Sequence, residues 1–158
     1  MTHLILTRLA GGAAGIICLL IPAVAAPAKK PSNPETAAFT AECSSCHIPY
    51  PPRFLPKRSW TALMAGLDGH FGENASLDAE ANAKILAYLE KNAADSRGGT
   101  NVMGLSPDKV PLRITQTPVW RSIHRSMIAR AAFKRPEIKS EANCSACHKE
   151  AAQGRFGE

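Results

Sequence analysis

Two short segments of the chain share one arrangement of cysteine and histidine. The segments are Cys43-Ser44-Ser45-Cys46-His47 and Cys144-Ser145-Ala146-Cys147-His148. In this Cys-x-x-Cys-His spacing, two thiols can bond covalently to the edge of a porphyrin while the adjacent imidazole binds its iron. The repeat therefore predicts two haem c groups, attached through Cys43, Cys46, Cys144 and Cys147, with His47 and His148 each binding one iron.

Paired cysteines also occur in zinc sites, redox pairs and structural disulfides. A zinc ribbon usually separates its two pairs by roughly 15 to 20 residues, and a much longer stretch separates Cys46 from Cys144. A thioredoxin-like redox pair is found near a βαβ unit, and neither motif lies in such a pattern. Because a histidine follows the second cysteine in both copies, haem attachment explains the repeat better than these alternatives.

Residues 1–26 have the features of a secretory signal peptide. Arg8 supplies a positive charge, residues 9–21 form a short apolar run, and Ala23-Val24-Ala25 offers small residues for cleavage. The run is too short to span a bilayer comfortably, although an uncleaved anchor is the alternative. We therefore predict a periplasmic protein without a membrane span once the signal is removed. Cys18 would leave with the signal, so the remaining four cysteines all belong to the motifs.

The histidine count indicates the second ligand of each iron. The chain has five histidines; His3 lies in the predicted signal and two belong to the motifs, which leaves His70 and His124. Glycines flank His70 closely and allow a tight bend there. His124 lies in a predicted helix with Thr117 as N-cap and Pro118 at the first position. We predict His70 at the first iron and His124 at the second, which implies low-spin irons without a vacant coordination position.

The predicted helix around His124 has one apolar face. Residues that share this face by helical spacing are Trp120, Ile123, His124, Met127, Ile128 and Ala131. Methionine is the alternative second ligand and would raise the reduction potential. Met64 and Met127 have apolar neighbours and are predicted to fill the core, whereas Met103, in a glycine-containing connector, stays an alternative ligand.

The chain is predicted to be all-α and loop-rich. Helices are expected over residues 35–46, 57–67, 77–92 with Ser76 as the cap, from Pro118 along a face that reaches Ala131, and over 140–152 around the second motif. Prolines at positions 49, 51, 52 and 56 predict an extended loop after the first motif. Residues 27–96 are predicted to be the first haem domain, 97–111 a connector and 112–158 the second haem domain.

The two predicted domains differ in the order of their parts. In the first, a helix, the haem motif, a ligand loop and another helix follow one another as in class I cytochromes c, which this half resembles. The second has its ligand helix first and is expected to be mostly irregular. Neither half has enough aliphatic residues for a convincing core, so we expect the protein without haem to be largely unfolded.

Further residues surround both motifs in a recognisable pattern. In the first half they are Glu42, Ile48-Pro49-Tyr50-Pro51-Pro52, Leu55-Pro56, Ser59-Trp60, Leu63-Met64-Ala65-Gly66-Leu67 and His70-Phe71-Gly72-Glu73. In the second they are Arg113-Ile114-Thr115, Thr117-Pro118, Arg135-Pro136, Lys139-Ser140 and Ala142-Asn143. With its motifs, the chain from about residue 40 to residue 156 resembles the dihaem cytochrome c family of exported bacterial electron carriers.

The resemblance implies two domains, each with histidine at both axial positions of its haem. The matching residues are His47, His70, His124 and His148. It also implies that electrons pass to other exported haem proteins, in one known case a monohaem cytochrome that can bind oxygen. We therefore predict a one-electron carrier and not an enzyme. The alternatives are a small haem enzyme or a gas or redox sensor with one labile distal histidine, or the electron-entry subunit of a larger periplasmic reductase.

The formal charge of the chain is +6 at pH 7. Five basic residues lie close together in sequence: Arg121, Arg125, Arg130, Lys134 and Arg135. They either pair with haem propionates and cover a solvated helix face or form a docking patch for an acidic redox partner. A monohaem cytochrome or a membrane cytochrome would be such a partner, and nucleic acid is not expected to bind an exported haem protein.

Overall fold

Four α-helices joined by 3₁₀ turns and loops make up the described part of the chain, residues 33–98 and 102–157 of a computed structural model. The helices are α1 (Pro34–Cys43), α2 (Lys57–Ala65), α3 (Ala79–Lys91) and α4 (Pro118–Met127). In these two ranges the only β pairing is an isolated bridge between His70 and Glu73. The prediction of an all-α, loop-rich fold is confirmed. The predicted signal lies outside the described residues, and the domain boundaries stay a prediction.

Side-chain caps determine where α1 and α3 begin. The Asn33 side chain accepts a hydrogen bond from the backbone N–H of Glu35 at 2.8 Å, directly before α1. At α3, the Asp78 carboxylate accepts from the backbone N–H of Ala81 at 2.8 Å. The predicted start at residue 77 with Ser76 as cap is therefore wrong by two residues, because Asp78 takes the capping role.

Helices α1 and α2 both pack against α3 and enclose the core of the first half. The buried side chains of this core are Phe39, Leu55, Trp60, Met64, Ile85, Leu89 and Ala93. The Trp60 indole N–H donates to the carbonyl of Pro52 at 2.7 Å, so its buried polar atom is satisfied. Met64 fills the core as predicted. The hydrogen bond from Trp60 joins the proline loop to α2. The first motif begins at Cys43, the last residue of α1, at the edge of the core.

One arginine fastens the connector to α2. The Arg58 guanidinium donates to the carbonyl of Lys109 at 2.7 Å and to that of Ser106 at 3.1 Å. Asp95 lies 3.9 Å from the same guanidinium and accepts from the backbone N–H of Lys57 at 2.9 Å. The path from the first half to α4 is therefore held by hydrogen bonds to charged side chains, which are stronger than neutral ones.

Helix α4 begins as predicted and ends earlier. The Thr117 hydroxyl accepts from the backbone N–H of Trp120 at 3.3 Å and donates to the carbonyl of Ile114 at 2.8 Å. The helix ends at Met127, so Ile128 and Ala131 do not continue its face. Ile123 is 50% exposed instead of facing inward. Among the described residues, α4 packs mainly against the 3₁₀ turns at residues 102–104 and 114–116, and the ring of Trp120 also meets that of Phe133.

The predicted helix over residues 140–152 is wrong. The chain forms two 3₁₀ turns there, Cys144–Ala146 and Ala151–Gln153. Asn143 has φ −80° and ψ 72°, outside the helical region, and its side chain donates to the carbonyl of Ile138 at 3.0 Å. Asparagine and serine compete in this way with helical hydrogen bonding. The second motif is therefore held by turns rather than by a regular helix.

Removing the side chain at the centre of the first core should lower stability strongly. Ile85 is fully buried, and the change Ile85→Ala should cost about 2–5 kcal/mol of unfolding free energy because it leaves a cavity. Guanidinium unfolding of the haem-loaded protein measures this. Lys84→Ala, at the exposed neighbouring position of α3, is the control and should leave the midpoint almost unchanged. Equal midpoints for the two variants would contradict this packing.

Candidate haem sites

The first motif forms a turn at the end of α1. Cys43 is the last residue of the helix, and Cys46 and His47 follow in the exposed turn. The His47 Nδ1 lies 2.7 Å from the carbonyl oxygen of Ile48. Since a carbonyl can only accept, the proton is on Nδ1, and the other ring nitrogen is left with a free lone pair. The local backbone thus prepares His47 to bind a metal ion.

His70 lies in a bent loop directly after α2. A 3₁₀ turn, Leu67–Gly69, precedes it, and the backbone N–H of Ala75 closes the loop by donating to the carbonyl of Leu67 at 2.8 Å. Phe71 has φ 53° and Gly72 has φ 104°. A positive φ is readily adopted by glycine but costs a bulky residue free energy. The surrounding contacts hold this bend, and the bend directs His70 toward the first motif.

The environment of His70 favours the neutral form of its imidazole. Burial lowers the pKa of His70, and the neighbouring His47 and Arg113 lower it further. Its Nδ1 is buried without a hydrogen-bond partner among the described residues. The Arg113 guanidinium stacks on the Phe71 ring at 3.9 Å. A neutral imidazole has a lone pair to give to a metal, so this setting suits an iron ligand.

A mostly apolar cavity lies beside His70. Its walls are formed by Ala62, Leu63, Gly66, Gly69, His70, Phe71 and Leu112. Phe71 and Leu112 are among the exposed large apolar side chains of the described chain. A flat apolar macrocycle would cover such a surface and remove it from water.

The second pair of histidines comes from α4 and from the second motif. The Nδ1–H of His124 donates to the carbonyl of Trp120 at 3.0 Å, and the two rings stack with centroids 4.3 Å apart and 13° between planes. His148 follows the 3₁₀ turn of the motif, where its backbone N–H donates to the carbonyl of Cys144 at 2.8 Å. The buried Trp120 thus fixes the orientation of His124 through both a hydrogen bond and a ring face.

Both pairs of predicted ligands have the spacing that one iron requires. The ring centroids of His47 and His70 are 6.2 Å apart, and those of His124 and His148 are 6.1 Å apart. Two metal–nitrogen bonds of about 2 Å each, plus roughly 1.1 Å from nitrogen to ring centre on either side, give about 6 Å. The residues therefore fit two haems, each between two imidazoles. Met103, the alternative ligand, lies in the 3₁₀ turn Val102–Gly104.

The surroundings of the motif cysteines bear on the alternative chemistries of paired thiols. The four cysteines of the motifs are free of disulfide bonds. Burial, and then the charge of Glu42, raises the pKa of Cys43 to about 11, so its thiol is protonated at neutral pH. Among residues 33–98 and 102–157, no three histidine, cysteine or acidic side chains gather as a metal-ion site would require. The described residues therefore lack the ligand set of a zinc ribbon, and the Cys43 thiol is not a reactive thiolate.

Three residues of the proline loop contact the segment that carries the second motif. The Tyr50 hydroxyl donates to the carbonyl of Ala142 at 2.8 Å, and the Arg53 guanidinium donates to that of Gly154 at 3.0 Å. The Phe54 ring packs edge-on against Phe156 with centroids 4.9 Å apart. The sequence does not predict these contacts, because no local pattern indicates a contact between residues about a hundred positions apart.

Tyr50 also contacts the first motif. Its ring lies over His47 with centroids 4.9 Å apart and 26° between planes. Burial, and then the neighbouring Cys144, raise the pKa of Tyr50 to about 12, so the hydroxyl keeps its proton and acts as a donor.

A helical, loop-rich chain with two Cys-x-x-Cys-His motifs is a c-type cytochrome. The family model for dihaem cytochrome c matches residues 39–156, and the chain belongs to this family. It therefore carries two haem c groups and is a haem electron carrier. The family consists in general of electron-transfer proteins. Among the described residues, none of the helices has the length and apolar character needed to cross a bilayer.

Solved structures agree with this assignment. A diheme cytochrome c from Rhodobacter sphaeroides is 43% identical, with a TM-score of 0.70, over 75% of this chain and 94% of the other. The diheme cytochrome type c of Shewanella baltica OS155 is 35% identical, with a TM-score of 0.64, over 79% of this chain and 89% of the other. No curated protein matches the chain.

Loss of the second thiol pair should halve the number of covalently bound haems. The double change Cys144→Ser and Cys147→Ser leaves His148 in place but removes both attachment points of one haem. Mass spectrometry of the denatured protein and the pyridine haemochrome spectrum should then report one haem per chain instead of two. Ser145→Ala, between the same cysteines, is the control and should keep both. Two covalent haems in the double variant would contradict the assignment.

Proposed function

We propose that the chain is an exported, periplasmic one-electron carrier in which histidines bind both irons from both sides. His47 and His70 would hold the first iron, and His148 and His124 the second. The observation that carries this proposal is the pair of ring separations, 6.2 Å and 6.1 Å, because each matches two imidazoles on one metal ion. When bound, each haem takes up and releases one electron at its iron.

The side chains around the histidines are suited to keeping the same iron ligands in both oxidation states. His124 is held by the Trp120 carbonyl and ring face, and His47 by the Ile48 carbonyl and the Tyr50 ring. Hydrogen bonds of this kind fix the tautomer and ring orientation of a metal-binding histidine and make it a better donor. A site that changes little between oxidation states suits electron transfer, and two imidazole ligands imply lower potentials than a methionine ligand would.

Export and an acidic partner are supported by charge and composition. Cytochromes c are typically exported, and residues 1–26 read as a signal. The full sequence has a formal charge of +6, and five of its 19 basic residues lie between positions 121 and 135, in and after α4. Such charge raises the rate of encounter with a negatively charged protein and makes it sensitive to salt. An exported monohaem cytochrome or a membrane cytochrome of acidic surface fits this description.

Optical spectra of the haem-loaded protein test the proposed ligation. We expect low-spin spectra in the ferric and ferrous states, no methionine-to-iron charge-transfer band, and no change on adding carbon monoxide to the ferrous protein. A high-spin fraction or carbon monoxide binding at one haem would contradict the proposal and favour a haem enzyme or a gas sensor with a labile histidine.

Replacing one predicted ligand by methionine should change one haem only. His124→Met should raise the potential of the second haem, because a thioether stabilises ferrous iron relative to imidazole, and should leave the first nearly unchanged. A spectroelectrochemical titration measures both potentials. Ile123→Met, at the neighbouring half-exposed position of α4, is the control and should shift neither. If both potentials moved together, or neither did, His124 would not be the ligand of a single iron.

A further inference from the structure

The loop that follows the first haem motif contacts both candidate haem sites. At its start, the Tyr50 ring covers His47, and the Tyr50 hydroxyl reaches the carbonyl of Ala142, two residues before the second motif begins. At its end, Phe54 packs on Phe156, whose ring meets that of His148 edge-on with centroids 5.6 Å apart. His47 thus contacts a ring of this loop directly, and His148 contacts Phe156, which packs against the loop.

The loop is anchored in the core of the first half, so a contact at one haem site can constrain the geometry of the other. Pro51, Pro52 and Leu55 are buried, and the carbonyl of Pro52 accepts the buried Trp60 N–H at 2.7 Å. Proline has a fixed φ, which leaves the loop few other conformations. The hydroxyl of Tyr50 is therefore presented to Ala142 by a segment anchored in the core of the first half.

We propose that Tyr50 is a positioning residue that couples the two haem sites: its ring sets the plane of the His47 imidazole, and its hydroxyl holds the backbone that leads into Cys144. The inference rests on the proposed function, namely that His47 and His70 bind the first iron and that His124 and His148 bind the second. Tyr50 touches a ligand and not the iron, so it acts through His47 and through the segment at residues 142–148.

The two sites differ in the angle between their imidazole planes. This difference allows the effect of Tyr50 on the first site to be measured separately from the second. The angle is 28° for His47 and His70 and 76° for His124 and His148. Nearly parallel imidazoles donate into the same iron d orbital and produce a rhombic ferric resonance. Nearly perpendicular ones leave two d orbitals close in energy and produce a single, highly anisotropic low-spin signal. The unmodified protein should therefore show one resonance of each type by electron paramagnetic resonance.

Two substitutions separate the roles of the ring and the hydroxyl. Tyr50→Phe keeps the ring on His47 and removes the hydrogen bond to Ala142. It should leave the rhombic resonance unchanged and lower the amide exchange protection of residues 142–148 about fivefold, the effect of one net hydrogen bond. Tyr50→Leu removes both contacts and should in addition shift and broaden the rhombic resonance. The anisotropic resonance should stay in both variants.

The other tyrosine of the chain is the matched control. Tyr88 packs on Phe39 at 5.2 Å, inside the first half, and Tyr88→Phe should change neither the resonances nor the exchange of residues 142–148. A rhombic signal in Tyr50→Leu identical to that of the unmodified protein would overturn the role of the ring. Unchanged exchange in Tyr50→Phe would overturn the coupling. Absence of both low-spin signals from the unmodified protein would instead overturn the proposed ligation, so the two failures are distinguishable.

Discussion

The distance between two imidazole rings is the constraint on which the rest of the structure depends. Each motif histidine lies about 6 Å from a second histidine, at 6.2 Å for His47 and His70 and 6.1 Å for His124 and His148. The partners come from unlike elements, a bent loop in one half and helix α4 in the other. The strained backbone at Phe71 and the buried Trp120 both make sense as ways to place an imidazole at this distance.

Much of this arrangement could be predicted from the sequence because its signals are local. The motifs, the glycines beside His70, and the Thr117-Pro118 start of α4 each act within a few residues, and the structure places the elements accordingly. The predicted helix over residues 140–152 is wrong for a local reason, because the Asn143 side chain binds the backbone and favours a turn. The predicted inward face of α4 was wrong at Ile123, which is exposed.

Contacts between distant segments could not be predicted in this way. Tyr50 stands among prolines in the sequence, and nothing near it indicates that it meets both His47 and Ala142. In the sequence, Arg58 is one basic residue of a predicted helix, and its hydrogen bonds to the connector are known only from the structure. Such contacts depend on how the two halves dock, which periodicity and composition do not encode. They are also the contacts that make the pair of sites one unit.

The placement of the proline loop before the second motif has a consequence for the order of assembly. Residues 50–54 belong to the first half, and the segment they receive, residues 142–156, comes last in the chain. The surface that receives this segment depends on the fold of the first half, which we expect to form only with its haem. We therefore expect the second motif, which holds one short 3₁₀ turn, to take its final shape after the first half has folded.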